Sequence, residues 1–427
     1  MKTLTATTEQ LHLGDMASKV MTVGLIAGIG GLGATIGLAS SAGAHAFWKA
    51  YLFAVTAAFA ICLGGLFFVM LQYITRAGWS VTVRRTAEGL AANLQWMWVL
   101  LVPLLVLVWS GHGAVLYEWA NVELVASDPL LQKKAAYLNP TFWSIRTIAY
   151  AVIWFMLSRF YVGHSIAQDS DGDIGRTSAM QTLAPVGIIL YAVTQTFASI
   201  DWVMSLQPTW FSTMFGVYFF AGSCAGCFSS IILLLSLLKN AGRLGDAVNK
   251  EHFHDMGKML FAFGVVFWAY IGFSQYMLIW YANIPVETGW FFPRYMSGWF
   301  WVSWLLIIGH FALPFVMLIS RWPKRFRFSI TAIAAWMVLM FLVDVYWLVM
   351  PVVPTEAIVD AESWDVLSSA VNAGEVSVGW DPQLLSATAI IGTLGLVLAG
   401  WAFALRRCSL VPVHDPRLHE ALAFENV

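Results

Sequence analysis

The chain has 427 residues, 59% of them hydrophobic and 11% charged, and its 23 Lys and Arg against 24 Asp and Glu leave a net charge of −1. Soluble domains carry roughly 25% charged residues, so this composition excludes an ordinary soluble domain, and the near-neutral balance argues against a basic nucleic-acid-binding surface. Four cysteines, Cys62, Cys224, Cys227 and Cys408, fall in apolar runs or at the end of one, which gives no disulfide framework.

Ten runs are apolar and long enough to cross about 30 Å of hydrocarbon: 19–40, 47–74, 91–110, 141–163, 180–203, 209–238, 257–281, 296–320, 328–350 and 383–405. An open sheet cannot satisfy its backbone in lipid, so all ten are predicted as helices of an all-α, polytopic membrane protein. With the N-terminus inside, eighteen of the 23 Lys and Arg lie on inner segments or adjoining helix ends. Lys49, Lys133, Lys134, Arg146 and Arg294 are left outside, which is the positive-inside pattern of an even number of spans. Both termini are expected in the cytoplasm.

Residues 1–18 are polar, and the first apolar run ends near Ala42-Gly-Ala44, as a signal-peptide cleavage site does. Glu9 and Asp15 in a long leader fit that poorly, and an uncleaved first helix is expected. Gly28-Ile-Gly-Gly-Leu-Gly33 has the spacing of a dinucleotide fingerprint, but no strand precedes it and an apolar span is the wrong context. Gly24 with Gly28, and Gly33 with Gly37, read instead as small residues that let helices approach closely in lipid. The second run ends in Gln72-Tyr73 before a basic loop, Arg76 to Arg85, explained by packing and snorkelling. The third begins with Asn93 and Gln95, contains Pro103 and leads to His112 and Glu118, a pair too ordinary to imply a metal. Arg146 lies in the first turns of the fourth run, as a partner for Asp201 or an anionic group, or as a snorkelling side chain. Gln168-Asp-Ser-Asp-Gly-Asp173 is similar to a calcium loop but lacks the closing glutamate, so a solvated acidic turn is expected.

Ser199-Ile-Asp-Trp-Val-Met-Ser-Leu-Gln-Pro-Thr-Trp210 reads as the hinge of a membrane hairpin. Asp201 is then at or just inside one face. It is either a functional carboxylate or the cap of the turn or of the next helix. Ser223-Cys-Ala-Gly-Cys227 puts two thiols on one helix face without the trailing His of a haem c site, which points to packing. The inner loop 239–256, with His252 and His254, is expected to contact solvent or a partner. In the next three runs Gln275 lies about 10 Å below the outer face, His310 near mid-span and Asp344 about 9 Å from the outer end. His310 has a structural reading as a satisfied core residue. Asp344 must be paired, protonated or hydrated. The run 351–382 carries six acids and no base, and is expected as an acidic outer loop. A weak internal echo relates residues 197–211 to 273–291: each has an aromatic, a polar pair, a Trp, a Pro and then Trp-Phe. It suggests two four-helix bundles, 47–206 and 207–350, with peripheral helices in 1–46 and 383–427.

The stretches 199–213 and 273–285, the latter Phe273-Ser-Gln-Tyr-Met-Leu-Ile-Trp-Tyr-Ala-Asn-Ile-Pro285, resemble the ActF subunits of bacterial alternative complex III, a quinol:cytochrome c oxidoreductase family related to NrfD-like membrane subunits. The likeness extends in span count and loop lengths over nearly the whole chain. It implies a cofactor-free membrane anchor of two four-helix bundles, assembled with a quinol-binding sister subunit and with periplasmic subunits that carry iron–sulfur clusters and haem c. It also implies a part in proton movement, and quinol as a ligand of the complex. No quinol-site motif maps onto this chain residue by residue. Beside it, the residues themselves offer one deep histidine and no iron–sulfur cysteine set, so a bis-His haem lacks its second ligand. Asp344, His310 and Gln275 in one bundle, and Asp201 with Arg146 in the other, are the candidate proton-path or quinol-facing groups. A secondary transporter and a purely structural anchor are the alternatives.

Overall fold

The computed structural model describes residues 4–296, 298–351, 364–373, 375 and 383–426, and every regular element among them is helical. Among the described residues nine helices are long and apolar enough to cross a membrane, or ten if a bent pair, 78–95 with 97–109, is counted as one span. These elements are α1 (Asp15–Ala42), α2 (Ala44–Ile74), α3 (Val81–Ala92) with α4 (Val102–Trp109), α5 (Pro140–Asp171), α6 (Ile174–Trp202) and α7 (Phe215–Asn240). Then follow α8 (Lys250–Met259), continuing through a π-helical stretch, Leu260–Phe267, into α9 (Trp268–Ala282). Helix α10 (Trp299–Leu305) likewise continues through a π stretch, Leu306–Ala312, into α11 (Leu313–Ile319), and α12 (Arg327–Val349) and α13 (Gln383–Leu405) complete the set. Local chemistry fixes the ends: the Asn139 side chain caps α5 ahead of Pro140, Gly172 closes α5 in the left-handed region at φ 66°, and Asp173 caps α6.

Helix α2 is the axis. Its most apolar window is entirely buried, so it has neighbours on every side: α3 and α6 of one group, α7 of the other, and α13. Helices α2 and α7 come close enough at Gly64 that a Cβ there would lie 2.5 Å from Cβ of Cys227 and 2.7 Å from the Ser223 carbonyl oxygen. The Ser223–Cys227 stretch is thus a packing face. All four cysteines are free and buried. Helices α2, α3, α5 and α6 pack together, as do α7, the α8–α9 span, the α10–α11 span and α12.

Several expectations change. The third crossing does not start at 91: it runs from 78 to 109 with a 49° bend at Trp96, and α3, expected as a basic loop, is buried along its whole length. The bend is held by Trp96 Nε1 donating to Asn93 Oδ1 at 3.1 Å and Gln95 Nε2 to Ser158 Oγ at 3.2 Å. The end of 239–256, from Lys250 on, is helix α8, with His252 and His254 buried against the chain itself. The acidic turn at 168–173 is not simply solvated, because Asp169 pairs with the buried Arg85 at 2.7 Å. Of the acidic connection 351–382, the greater part lies outside the described residues.

Both termini lie on one face, which an even number of crossings requires. The Leu244 N–H donates to Gln10 O at 2.8 Å, Leu410 N–H to Leu11 O at 2.7 Å, and the Asn426 amide to Asp255 at 3.0 Å. This is called the termini face, and its opposite the far face.

Helices α1 and α13 meet through glycines: a Cβ on Gly24 would fall 2.7 Å from Gly395 O, and one on Gly31 2.5 Å from Gly392 N. Gly33 and Gly37, read from the sequence as a second contact pair, have nothing within 4 Å and turn away from α13. Replacing Gly395 by Val therefore forces the two backbones apart, at a cost of about 1–3 kcal/mol. Thermal unfolding in detergent should show a clear loss for G395V and almost none for G37V.

Candidate functional site

The structure gives the two membrane carboxylates different surroundings. Asp201, in the last turn of α6, is fully buried, and Arg146 from α5 grips it with two parallel bonds, Nε to Oδ2 at 2.8 Å and Nη2 to Oδ1 at 2.9 Å. The Tyr150 hydroxyl adds a third donor at 2.7 Å. Arg146 gives its remaining nitrogen to Tyr137 O at 2.9 Å and stacks on the Tyr137 ring at 3.7 Å and the Phe142 ring at 4.3 Å. Asp201 caps no helix with its side chain, and Arg146 does not snorkel to solvent. This is a neutralised bidentate ion pair. The two echoing stretches meet: Trp210 stacks on Trp290 at 4.5 Å, 13° between planes, and donates to Glu287 O at 3.1 Å.

Asp344, in α12, is 1% exposed, and among the described residues no cation reaches it. Its carboxylate accepts from the Tyr218 hydroxyl of α7 at 2.5 Å and from Trp268 Nε1 of α9 at 3.1 Å. A hollow in α7 accommodates it: a Cβ on Gly222 would stand 3.2 Å from Oδ2. The indole that holds the carboxylate stacks on His310, ring centroids 4.0 Å apart and 7° between planes. His310 is fully buried and lies in one π stretch, and its Nε2 bonds Gly264 O of the other at 3.1 Å. A carbonyl only accepts, so Nε2 carries the proton. A π-helical turn is wider than an α-helical one and recurs at functional sites. Here it leaves carbonyls for side chains: Trp336 Nε1 takes Gly309 O at 2.7 Å in the second stretch.

Toward the far face on the same side of α9 lies Gln275, buried, with Oε1 lacking a hydrogen-bond partner. Gly272, between Trp268 and Gln275, touches the Tyr218 ring: a Cβ there would be 3.1 Å from it. Asp344, His310 and Gln275 are therefore gathered about α9, whereas Asp201 and Arg146 form a separate centre on α5 and α6.

The sequence reading missed three participants. Tyr218 and Trp268 are unremarked aromatics in apolar runs, and no signal distinguishes them among 13 Tyr and 22 Trp. The third is a charge network within α3: Glu88 contacts Arg84 at 3.3 Å and Arg85 at 3.2 Å and accepts from Ser165 Oγ at 2.9 Å, while Arg84 reaches Asp415 of the C-terminal segment at 2.5 Å. A signal did exist there, since Arg84, Arg85 and Glu88 have the i,i+3 and i,i+4 spacing of one helix face.

Among the described residues no group of three or more His, Cys, Asp or Glu is placed to hold a metal ion. An apolar groove of about 260 Å³ lies along α4 and α5, lined by Trp98, Leu101, Val102, Ala151 and Phe155 among others, and none of the five candidate residues lines it. Comparison of the chain with protein-family models and with curated proteins finds no match.

The Arg146–Asp201 geometry makes a prediction. Removing one partner of a buried ion pair strands the other and costs about 3–5 kcal/mol. Arg146→Met and Asp201→Asn should each lower thermal stability in detergent, and the double variant should lose less than the two losses added, a coupling that a double-mutant cycle measures.

Proposed function

We propose that the chain is an integral membrane subunit whose second helix group exchanges protons at Asp344, within a quinol-oxidising respiratory complex. The observation that carries the proton reading is the contrast between two buried carboxylates. Asp201 has its cation, and its charge is balanced in place. Asp344 has two neutral donors and a cradle, so its charged form has no adjacent counter-ion, and intramembrane carboxylates in that situation mark proton and ion pathways.

The donors are not equivalent. Trp268 Nε1 can donate but cannot accept, so it orients Asp344 and passes no proton to it. A hydroxyl both donates and accepts, so Tyr218 is the step that exchanges with Asp344, on the side toward Gln275 and the far face. His310 shares its indole with Asp344 by stacking. It sets the position of Trp268, and its exchange with Asp344 requires an intervening water.

The respiratory setting rests on the resemblance of 199–213 and 273–285 to the ActF family. In this proposal quinol, iron–sulfur clusters and haem c belong to partner subunits in the membrane and on its outer side. This chain contributes protonatable side chains and no redox centre. Extraction from the native membrane in mild detergent should bring several partners and haem c absorbance with it. A colourless chain alone would favour a secondary transporter, to which the bent third crossing lends some support, since transporters build sites at broken helices.

Asp344→Asn and Tyr218→Phe should each lower the protons released per electron in the isolated complex while leaving its subunit composition intact. Trp268→Phe should weaken that coupling much less. An unchanged proton yield in both D344N and Y218F would leave a structural anchor as the better description.

A further inference from the structure

Three arginines are buried among the described residues, Arg84, Arg85 and Arg294. The first two contact Glu88, but Arg294 meets no carboxylate among those residues. It lies in the short far-face helix Phe292–Tyr295, 1% exposed. Its guanidinium donates to Trp290 O at 2.5 Å and Leu348 O at 3.1 Å, lies 3.4 Å over the Trp290 ring and 4.9 Å from the Trp347 ring, and leaves Nε without a hydrogen-bond partner. An arginine stays charged even in such a site. Leu348 is one turn beyond Asp344 in α12, about 6 Å further along the axis toward the far face, and Tyr218, bonded to Asp344, is within the electrostatic reach of Arg294. Among the described residues, the far-face half of the second helix group thus holds a buried arginine with no carboxylate in contact and a buried carboxylate with no cation in contact, the latter bonded to the Tyr218 hydroxyl.

We propose that Arg294 is a positioning residue for proton exchange, the fixed counter-charge of Asp344 across Tyr218, and that this charge closes the far-face end of the path to returning protons. The inference rests on the reading of Asp344 as the exchanging group. Carbonyls and indole faces fit such a task because they hold a guanidinium in place without cancelling its charge. A fixed positive charge repels an approaching proton at short range in a medium of low dielectric. The bonds to Trp290 and to the last turn of α12 also tie the far-face segment down, and a structural role alone would end there.

The test is proton leak into proteoliposomes that contain the full chain, followed with an internal pH dye under an imposed potassium-diffusion potential. Wild type and R294K, which keeps the charge, should be equally tight. R294Q should leak about tenfold faster, and R294Q/D344N should return to the wild-type rate, because the leak needs Asp344. An R294Q protein as tight as wild type, or a double variant as leaky as R294Q, overturns the inference. The proton yield of D344N in the complex separates the two ideas: a lowered yield with a tight R294Q removes the gate and leaves the relay, whereas an unchanged yield removes the relay. If R294Q does not accumulate, the membrane yield of R294Q/D344N relative to R294Q decides. Recovery in the double variant supports the charge pairing, and a double variant that accumulates no better than R294Q overturns it.

Discussion

Helix α2 has no side free for lipid, and the architecture depends on that constraint. A 31-residue apolar helix surrounded by other helices has to be approached closely, and van der Waals contact between small residues takes the place of the hydrophobic drive that is absent in a bilayer. Gly64 against Cys227, and Gly65 against Ala87 and Leu90 of α3, supply those approaches. Once α2 is enclosed, the short α3 must also be buried, and with it Arg84, Arg85 and Glu88. Their charges are compensated by one another, by Asp169 and by Asp415, so the fold ties the C-terminal segment to the centre of the molecule.

Buried charge is handled in two ways at these residues, and the difference carries the functional argument. The network around Glu88 and the Arg146–Asp201 pair are locally neutral and hydrogen-bonded, the arrangement in which removing one member is far worse than never having had the pair. Asp344 and Arg294 are each held by neutral groups, and the Leu348 carbonyl that holds Arg294 belongs to a residue one helical turn beyond Asp344. An ion pair in contact is a fixed structure. In the proposed function, Asp344 differs from such a pair in having no cation in contact, and its proton exchanges through the Tyr218 hydroxyl.

Much was legible in the chain because bilayer physics acts on single segments. The ten crossings, their helical nature, and the common side of the two termini follow from apolar length and backbone satisfaction. The intramembrane polar residues Asp201, Gln275, His310 and Asp344 stood out because they are costly where they are. What did not show was α3, whose mixed composition breaks the apolar run that span reading depends on. The reach of Gly33 and Gly37 was also misjudged, since spacing marks a small-residue face without saying whether anything occupies it.

The amino-acid sequence by itself determined the class of the protein and which side chains had to be accounted for within the membrane, because the cost of a polar group in hydrocarbon depends on that group alone. Tertiary structure decided what each of them contacts. It brought Arg146 to Asp201 across 55 positions of sequence, and Tyr218 to Asp344 across 126. It also opened two helices into π turns around His310 and left Arg294 without a carboxylate among the described residues. Those outcomes depend on pairs of distant residues, and the energy of a pair is set by a separation that neither member encodes.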